Sequence, residues 1–121
     1  MNVLDSSALL AFLQGETGAD IVETALEDES CCGAANWSEV AQRIGAQGHD
    51  WSLARALLQS FGLVVEPVSE ADAEWAAVRW RRGEGLSLGD RLCLALAQRL
   101  EATVWTADQG WGSGGRIKQI R

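Results

Sequence analysis

Apolar residues in this chain fall into two alternating patterns: short continuous runs, and longer stretches in which they recur at the helical period. Asn2-Val3-Leu4 reads as a short buried strand, and a helix follows over Ser7 to Gln14, stopped by Gly15. Thr17 is placed to cap a helix that carries Ile21, Val22, Ala25 and Leu26 on one face and ends in Glu27-Asp28-Glu29. Ser30 to Ala34 is a strand of small residues. A helix after Asn36 aligns Trp37, Val40, Ala41 and Ile44 and stops at Gly48, and Asp50 opens another with Leu53, Ala54, Leu57, Leu58 and Phe61 on its inner face. Leu63 to Glu66 is a third strand, closed by Pro67. Ser69 caps a long helix to Arg82, and Ser87 caps one running to about Leu100. Ala102 to Thr106 is an apolar fourth strand, and Arg116 to Ile120 an edge strand. This order predicts an α/β fold: a three-layer α/β/α sandwich around a central, mainly parallel sheet, in one domain spanning residues 1–121.

Against that frame, four carboxylates stand out by position. Asp5, Glu39, Asp90 and Asp108 each fall where a predicted strand ends or the next helix begins. In a parallel sheet all strand C-termini point the same way, so these acids should gather at one edge. No Lys or His lies near them in sequence to offset their repulsion, and a divalent cation is the usual physical reason to tolerate such a group. The usual use of that cation is phosphoryl chemistry, in which it acidifies a water for attack on phosphorus. Each acid taken singly also reads as a cap. Asn36-Trp37-Ser38-Glu39 and Ser87-Leu88-Gly89-Asp90 have capping-box spacing, and Asp5 and Asp108 suit turns. Caps alone would not require all four to share an edge.

Composition narrows the classes. Hydrophobic residues make up 47% and charged residues 22%, the balance of an ordinary globular protein. No run approaches the ~18 apolar residues of a membrane span. The first fifteen residues lack a basic segment and carry Asp5 inside their first apolar stretch, which reads against a signal peptide. Cys31, Cys32 and Cys93 are an odd number without metal-ligand spacing, hence reduced, buried and indicative of a cytoplasmic protein. A net charge of −7 argues against general coating of nucleic acid, which needs a basic footprint, but not against a nuclease whose metal supplies positive charge locally. It also suits a basic protein partner.

Rival chemistries lack their residues. A haloacid-dehalogenase-type phosphatase wants a second Asp two positions after Asp5, where Ser7 stands. A response-regulator receiver wants an acidic pair there and a Lys after a late strand, and the only lysine is Lys118. Glycosidase chemistry would leave two acids without a role. Gly110 to Gly115 lacks the ending of a phosphate loop. His49 is the sole histidine, so a paired-histidine mechanism is absent, and His49 reads as a surface residue ahead of a general base from another helix. Arg79, Arg81 and Arg82 crowd the end of the helix before Asp90, either as favourable cations at a helix C-terminus or as phosphate contacts. Trp37, Trp80 and Trp105 read as core. Trp51, Trp75 and Trp111 are freer to serve a partner or a stacked base.

The same residues carry a resemblance. Val3-Leu4-Asp5-Ser6-Ser7-Ala8-Leu9-Leu10-Ala11 resembles the opening of a PIN-domain ribonuclease. Asn36-Trp37-Ser38-Glu39 resembles its second motif, Leu86-Ser87-Leu88-Gly89-Asp90 its third, and Thr106-Ala107-Asp108 its fourth. Order and approximate spacing match across essentially the whole chain, and the length is similar to that of small VapC-like toxins. The resemblance implies a metal-dependent endoribonuclease that acts on RNA as the toxin of a toxin–antitoxin pair. It implies that Asp5, Glu39, Asp90 and Asp108 hold Mg²⁺ or Mn²⁺ and that Thr106 is a supporting hydroxyl. A cognate antitoxin and a homodimer are implied as partners. Arg91 follows the third acid where many members have a small residue, and it either touches substrate phosphate or pairs with a carboxylate. The alternatives are a catalytically silent interaction domain whose acids bind a basic segment, and a metal-dependent phosphatase or DNA nuclease.

Overall fold

A computed structural model describes residues 1–121. The strands are β1 (Asn2–Leu4), β2 (Ser30–Gly33), β3 (Val64–Glu66), β4 (Thr103–Thr106) and β5 (Ile117–Gln119). The helices are α1 (Ser6–Leu13), α2 (Ala19–Glu27), α3 (Ala34–Ala46), α4 (Trp51–Ser60), α5 (Glu70–Arg79) and α6 (Leu88–Leu100), with a 3₁₀ turn at Gln109–Trp111. The sheet order is β3-β2-β1-β4-β5 and every pair is parallel, so the predicted sheet is observed. β1 is central because the chain builds outward to β3, then returns across the sheet to add β4 and β5. The switch in direction falls between β1 and β4, where Val3 pairs with Val104 and Leu4 with Trp105. In an open parallel sheet the crevice outside the strand ends at such a point is the natural ligand site.

Strand alternation sorts the core into two faces. Val3, Cys31 and Val104 pack with Cys93, Leu96 and Ala97 of α6 and with Trp111. Leu4 and Cys32 point the other way, into Ala8 and Leu9 of α1, Val22 and Leu26 of α2, Val40 and Ile44 of α3, and Leu58 of α4. Helices on both faces of the sheet make the three layers. The three cysteines are free thiols, all buried. Burial pushes the Cys31 thiol up to about 11 and the Cys32 thiol up to about 12, so both are inert packing groups. No helix is long and apolar enough to cross a membrane.

Several boundaries differ from the sequence reading, each for a local reason. α2 is entered through Gly18 rather than capped by Thr17. Gly18 has φ 96°, and a Cβ there would come 2.6 Å from the Ile120 carbonyl oxygen, so close packing against the C-terminal segment demands glycine. α3 starts at Ala34, before Asn36, so Asn36 lies inside the helix and is no cap. α5 ends at Arg79, and Trp80 leaves it with extended ψ 135°, which puts Arg81 and Arg82 outside the helix. Trp80 is 52% exposed, whereas Trp111 is buried, the reverse of what the apolar pattern suggests. On α4 only Leu58 is buried. Leu53 and Leu57 are exposed because α4 lies at the periphery, packed chiefly on α3.

Candidate active site

The site is built outward from Asp5. This residue leaves β1 in extended conformation and caps α1, its Oδ1 accepting from the Ala8 N–H at 2.8 Å. The Ser7 hydroxyl donates to the same oxygen at 2.7 Å, and the Thr106 hydroxyl donates to Oδ2 at 2.5 Å. Thr106 ends β4 and is fully buried, so this bond ties the exits of the two switch-point strands together across 101 residues of chain. Its single proton goes to Asp5, which leaves its oxygen to accept from the Asp108 N–H at 3.0 Å. Ser7 likewise accepts from the Ala107 N–H at 2.9 Å. The turn that carries Asp108 is therefore fixed from beneath by the two hydroxyls that grip Asp5.

The other acids arrive from helix starts. Asp90 is the third residue of α6. It forms a true capping box with Ser87: the Ser87 N–H donates to Asp90 Oδ2 at 2.9 Å, and the Asp90 N–H donates to Ser87 Oγ at 3.1 Å. Asp108 caps the 3₁₀ turn, its Oδ1 accepting from the Gly110 N–H at 2.8 Å. Glu39 is exposed on α3, with Oε1 accepting from the Asn36 amide at 2.8 Å. The capping-box reading thus holds at Asp90 and fails at Glu39, where Asn36 supplies a side-chain donor instead.

Asp5 is 3% exposed, and burial pushes its carboxyl up to about 6. The bonds from Thr106, Ser7 and Ala8 pull the other way, and the Asp90 charge adds to the rise. No ion pair reaches any of the four acids. The pairs present are Arg79–Glu84, Arg81–Glu84 and Arg99–Asp72.

Oxygen donors of one sign at a sheet edge suit a hard divalent ion in type and charge. Glu39, Asp90 and Asp108 each keep one oxygen that no hydrogen bond engages. As the side chains stand, no three His, Cys, Asp or Glu groups converge closely enough to hold a metal ion. Glu39, Asp90 and Asp108 each rest on one local donor: the Asn36 amide, the Ser87 N–H and the Gly110 N–H.

The arginines also differ from expectation. Arg91 neither faces the edge nor pairs with a carboxylate: it donates to the Ala76 carbonyl of α5 at 2.7 Å, with its Nε buried and unpartnered. Arg79 is held by both oxygens of Glu84, at 2.6 and 3.0 Å. Arg82 is exposed, its guanidinium 5.8 Å from the centre of the Trp80 ring. His49 lines a groove of about 810 Å³ with Leu13, Ile44 and Leu53, at the ends of α1 and α3 remote from the acids, so it cannot serve them as a base. Two residues of the site carry little signal in the sequence: Ser7 shows there only as the absence of a second Asp, and Asn36 has the spacing of a cap.

A buried, hydroxyl-gripped Asp at the switch point of a five-stranded parallel sheet, with three further acids at the same edge, is the arrangement of a PIN domain. Residues 3–113 match the PIN domain family model, and the chain belongs to that family. It is 35% identical over 107 residues to VapC ribonuclease Mb2780c of Mycobacterium bovis and to ribonuclease VapC42 of Mycobacterium tuberculosis, a stretch covering 79% of this chain and 82% of each relative. Among solved structures, a toxin–antitoxin complex from Klebsiella pneumoniae superposes with a TM-score of 0.77 at 19% identity, covering 100% of this chain and 98% of that one. Mycobacterium tuberculosis VapC20, described as a toxin cleaving the sarcin–ricin loop, gives 0.72 at 15% identity, covering 94% and 95%. These two likenesses speak to the fold.

Proposed function

We propose that this PIN-domain protein is a divalent-metal-dependent endoribonuclease and the toxin of a toxin–antitoxin pair. The observation that carries the reading is the Asp5–Thr106 bond at the switch point, which fixes one acid at the edge where the other three stand without ion pairs. Sequence identity to VapC ribonucleases supports RNA as substrate. Asp5, Glu39, Asp90 and Asp108 would hold Mg²⁺ or Mn²⁺. The ion, when bound, supplies charge against the phosphate and acidity for a water. The chain's own part is to hold the acids: Thr106 and Ser7 fix Asp5, Thr106 orients the Asp108 turn, and the start of α6 presents Asp90. Arg82 with Trp80 is the arginine pairing left at the surface to meet a phosphate or a base, since Arg79 and Arg91 are engaged within the protein. Buried free thiols and the absence of a long apolar helix support a cytoplasmic protein. A homodimer and a basic antitoxin segment complete the proposal.

The test is cleavage of RNA in Mg²⁺ or Mn²⁺ by wild type and by Asp5→Asn, Glu39→Gln, Asp90→Asn and Asp108→Asn, each shown to be folded. Losses of several orders of magnitude are expected at Asp5 and Asp90, and a smaller loss for Thr106→Ala. Wild-type cleavage by the Asp5 and Asp90 variants would overturn the assignment. A second reading, a silent domain whose acids bind a basic segment, is favoured by the four acids having no ion pair of their own. Cleavage that is lost with Asp5→Asn excludes it.

A further inference from the structure

Glu39 is the one acid of the four whose position depends on no backbone donor. It projects from α3, is exposed, and has a long flexible stem. Two neighbours nevertheless fix its carboxylate. The Asn36 side chain, 1% exposed, directs one amide proton to Glu39 Oε1 at 2.8 Å and the other to the Gly89 carbonyl at 3.4 Å. Asn36 thereby links α3 to the first turn of α6. On the other side, the carboxylate lies against Gly89: a Cβ there would sit 3.1 Å from each Glu39 oxygen and 3.2 Å from its carboxyl carbon. A side chain at 89 would push it aside by a few tenths of an ångström. Gly89 precedes Asp90, so the place vacated by the missing Cβ is beside the second acid of the edge.

A further detail separates this from ordinary packing. Asn36 Oδ1 is buried with no hydrogen-bond partner. An unsatisfied buried acceptor is destabilising, and an apolar side chain of similar size would avoid it. Gly89 is equally unfavourable by local criteria, since it sits within the first turn of α6, where alanine favours the helix. Both residues sacrifice stability at the point where they touch Glu39.

We propose that Asn36 and Gly89 form a seat that positions the Glu39 carboxylate beside Asp90, Asn36 by donation and Gly89 by leaving the space open. The proposal deepens the ribonuclease reading and rests on it for the role of Glu39. The test uses the whole protein. Gly89→Ala should melt at the same temperature as wild type or higher. It should nonetheless cleave RNA several-fold to about 10-fold more slowly, through kcat rather than KM, as a shift of a few tenths of an ångström in an acting group would do. Calorimetric titration with Mn²⁺ alone, without RNA, should show weakened binding. Asn36→Leu, which keeps the branched outline but is bulkier and removes both the amide donor and the orphan acceptor, should lose kcat and Mn²⁺ affinity likewise, whatever its melting temperature. In a Glu39→Gln background neither substitution should cause further loss, because each acts through Glu39. Wild-type kcat and Mn²⁺ affinity in Gly89→Ala, or losses that persist undiminished in the Glu39→Gln background, would overturn the seat, as would wild-type cleavage by Glu39→Gln. If the wild type cleaves no RNA, the ribonuclease reading fails. The Mn²⁺ titrations then decide the seat by themselves, supporting it only if the Gly89→Ala loss is seen and vanishes without Glu39.

Discussion

Asp5 carries the chemistry of this molecule in its surroundings more than in its identity. It is one of seventeen acidic residues, and burial raises its carboxyl to about 6. The folded state therefore holds a proton on Asp5 between its ordinary value of 3.8 and about 6, where the unfolded state has lost it. Stability from this group is full below the lower value and falls as pH rises to the upper one. The displacement corresponds to roughly 3 kcal/mol. In EDTA, the unfolding free energy of the wild type should decline relative to that of Asp5→Asn by up to that amount between pH 4 and 6.5. Mn²⁺ should restore it mainly above pH 6, where the carboxylate is ionised. Denaturant melts across that range check both, and parallel pH profiles for wild type and variant would refute the burial argument.

At the scale of elements, α5 and α6 are joined by a pairing unrelated to the edge. Asp72, in the capping box of α5, receives two bonds from Arg99 of α6, at 3.0 and 3.1 Å. Burial by itself would raise the Asp72 carboxyl, but the Arg99 guanidinium and the Ser69 donors outweigh it and hold it below the ordinary value. Its contribution is present at neutral pH and lost as pH falls below about 4. Arg99 is 38% exposed, so solvent weakens the pair, whereas Asp72 is nearly sealed. Arg99→Ala should cost about 2 kcal/mol at pH 7, from the buried acceptors left unsatisfied, and much less at pH 3. Equal destabilisation at both pH values would show that the arginine acts by packing alone. Since α6 carries Asp90, the same pairing steadies the helix that presents the second acid.

For the whole molecule, the charge of −7 sets the terms of association. A basic antitoxin segment laid along the edge would bring an Arg or Lys to acids that have no cation of their own. Inhibition of RNA cleavage should then weaken as salt is raised from about 50 to 500 mM, because the attraction is screened. Inhibition insensitive to salt, or tight binding of a cognate partner that leaves cleavage intact, would place the contact elsewhere.

How much of this was legible in the chain depends on the distance over which each feature is decided. The alternation of strands and helices is local, and so is the placement of an acid just past an apolar strand; a parallel sheet then carries Asp5 and Asp108 to one edge whatever else is true. Asp90 belongs to a capping box in sequence and in the structure, because that motif closes within four residues. The rest is settled by contacts that no periodicity encodes. Thr106 meets Asp5 only because β1 and β4 are neighbours. Asn36, which reads as a cap, lies inside α3 because Gly33 ends β2 early enough for the helix to start at Ala34, and its amide then turns to Glu39 and Gly89. Arg91, one residue from an acid, turns instead to the Ala76 carbonyl of α5. Adjacent residues on a helix are about 100° apart, so nearness in sequence gave no information about which of them would face the edge.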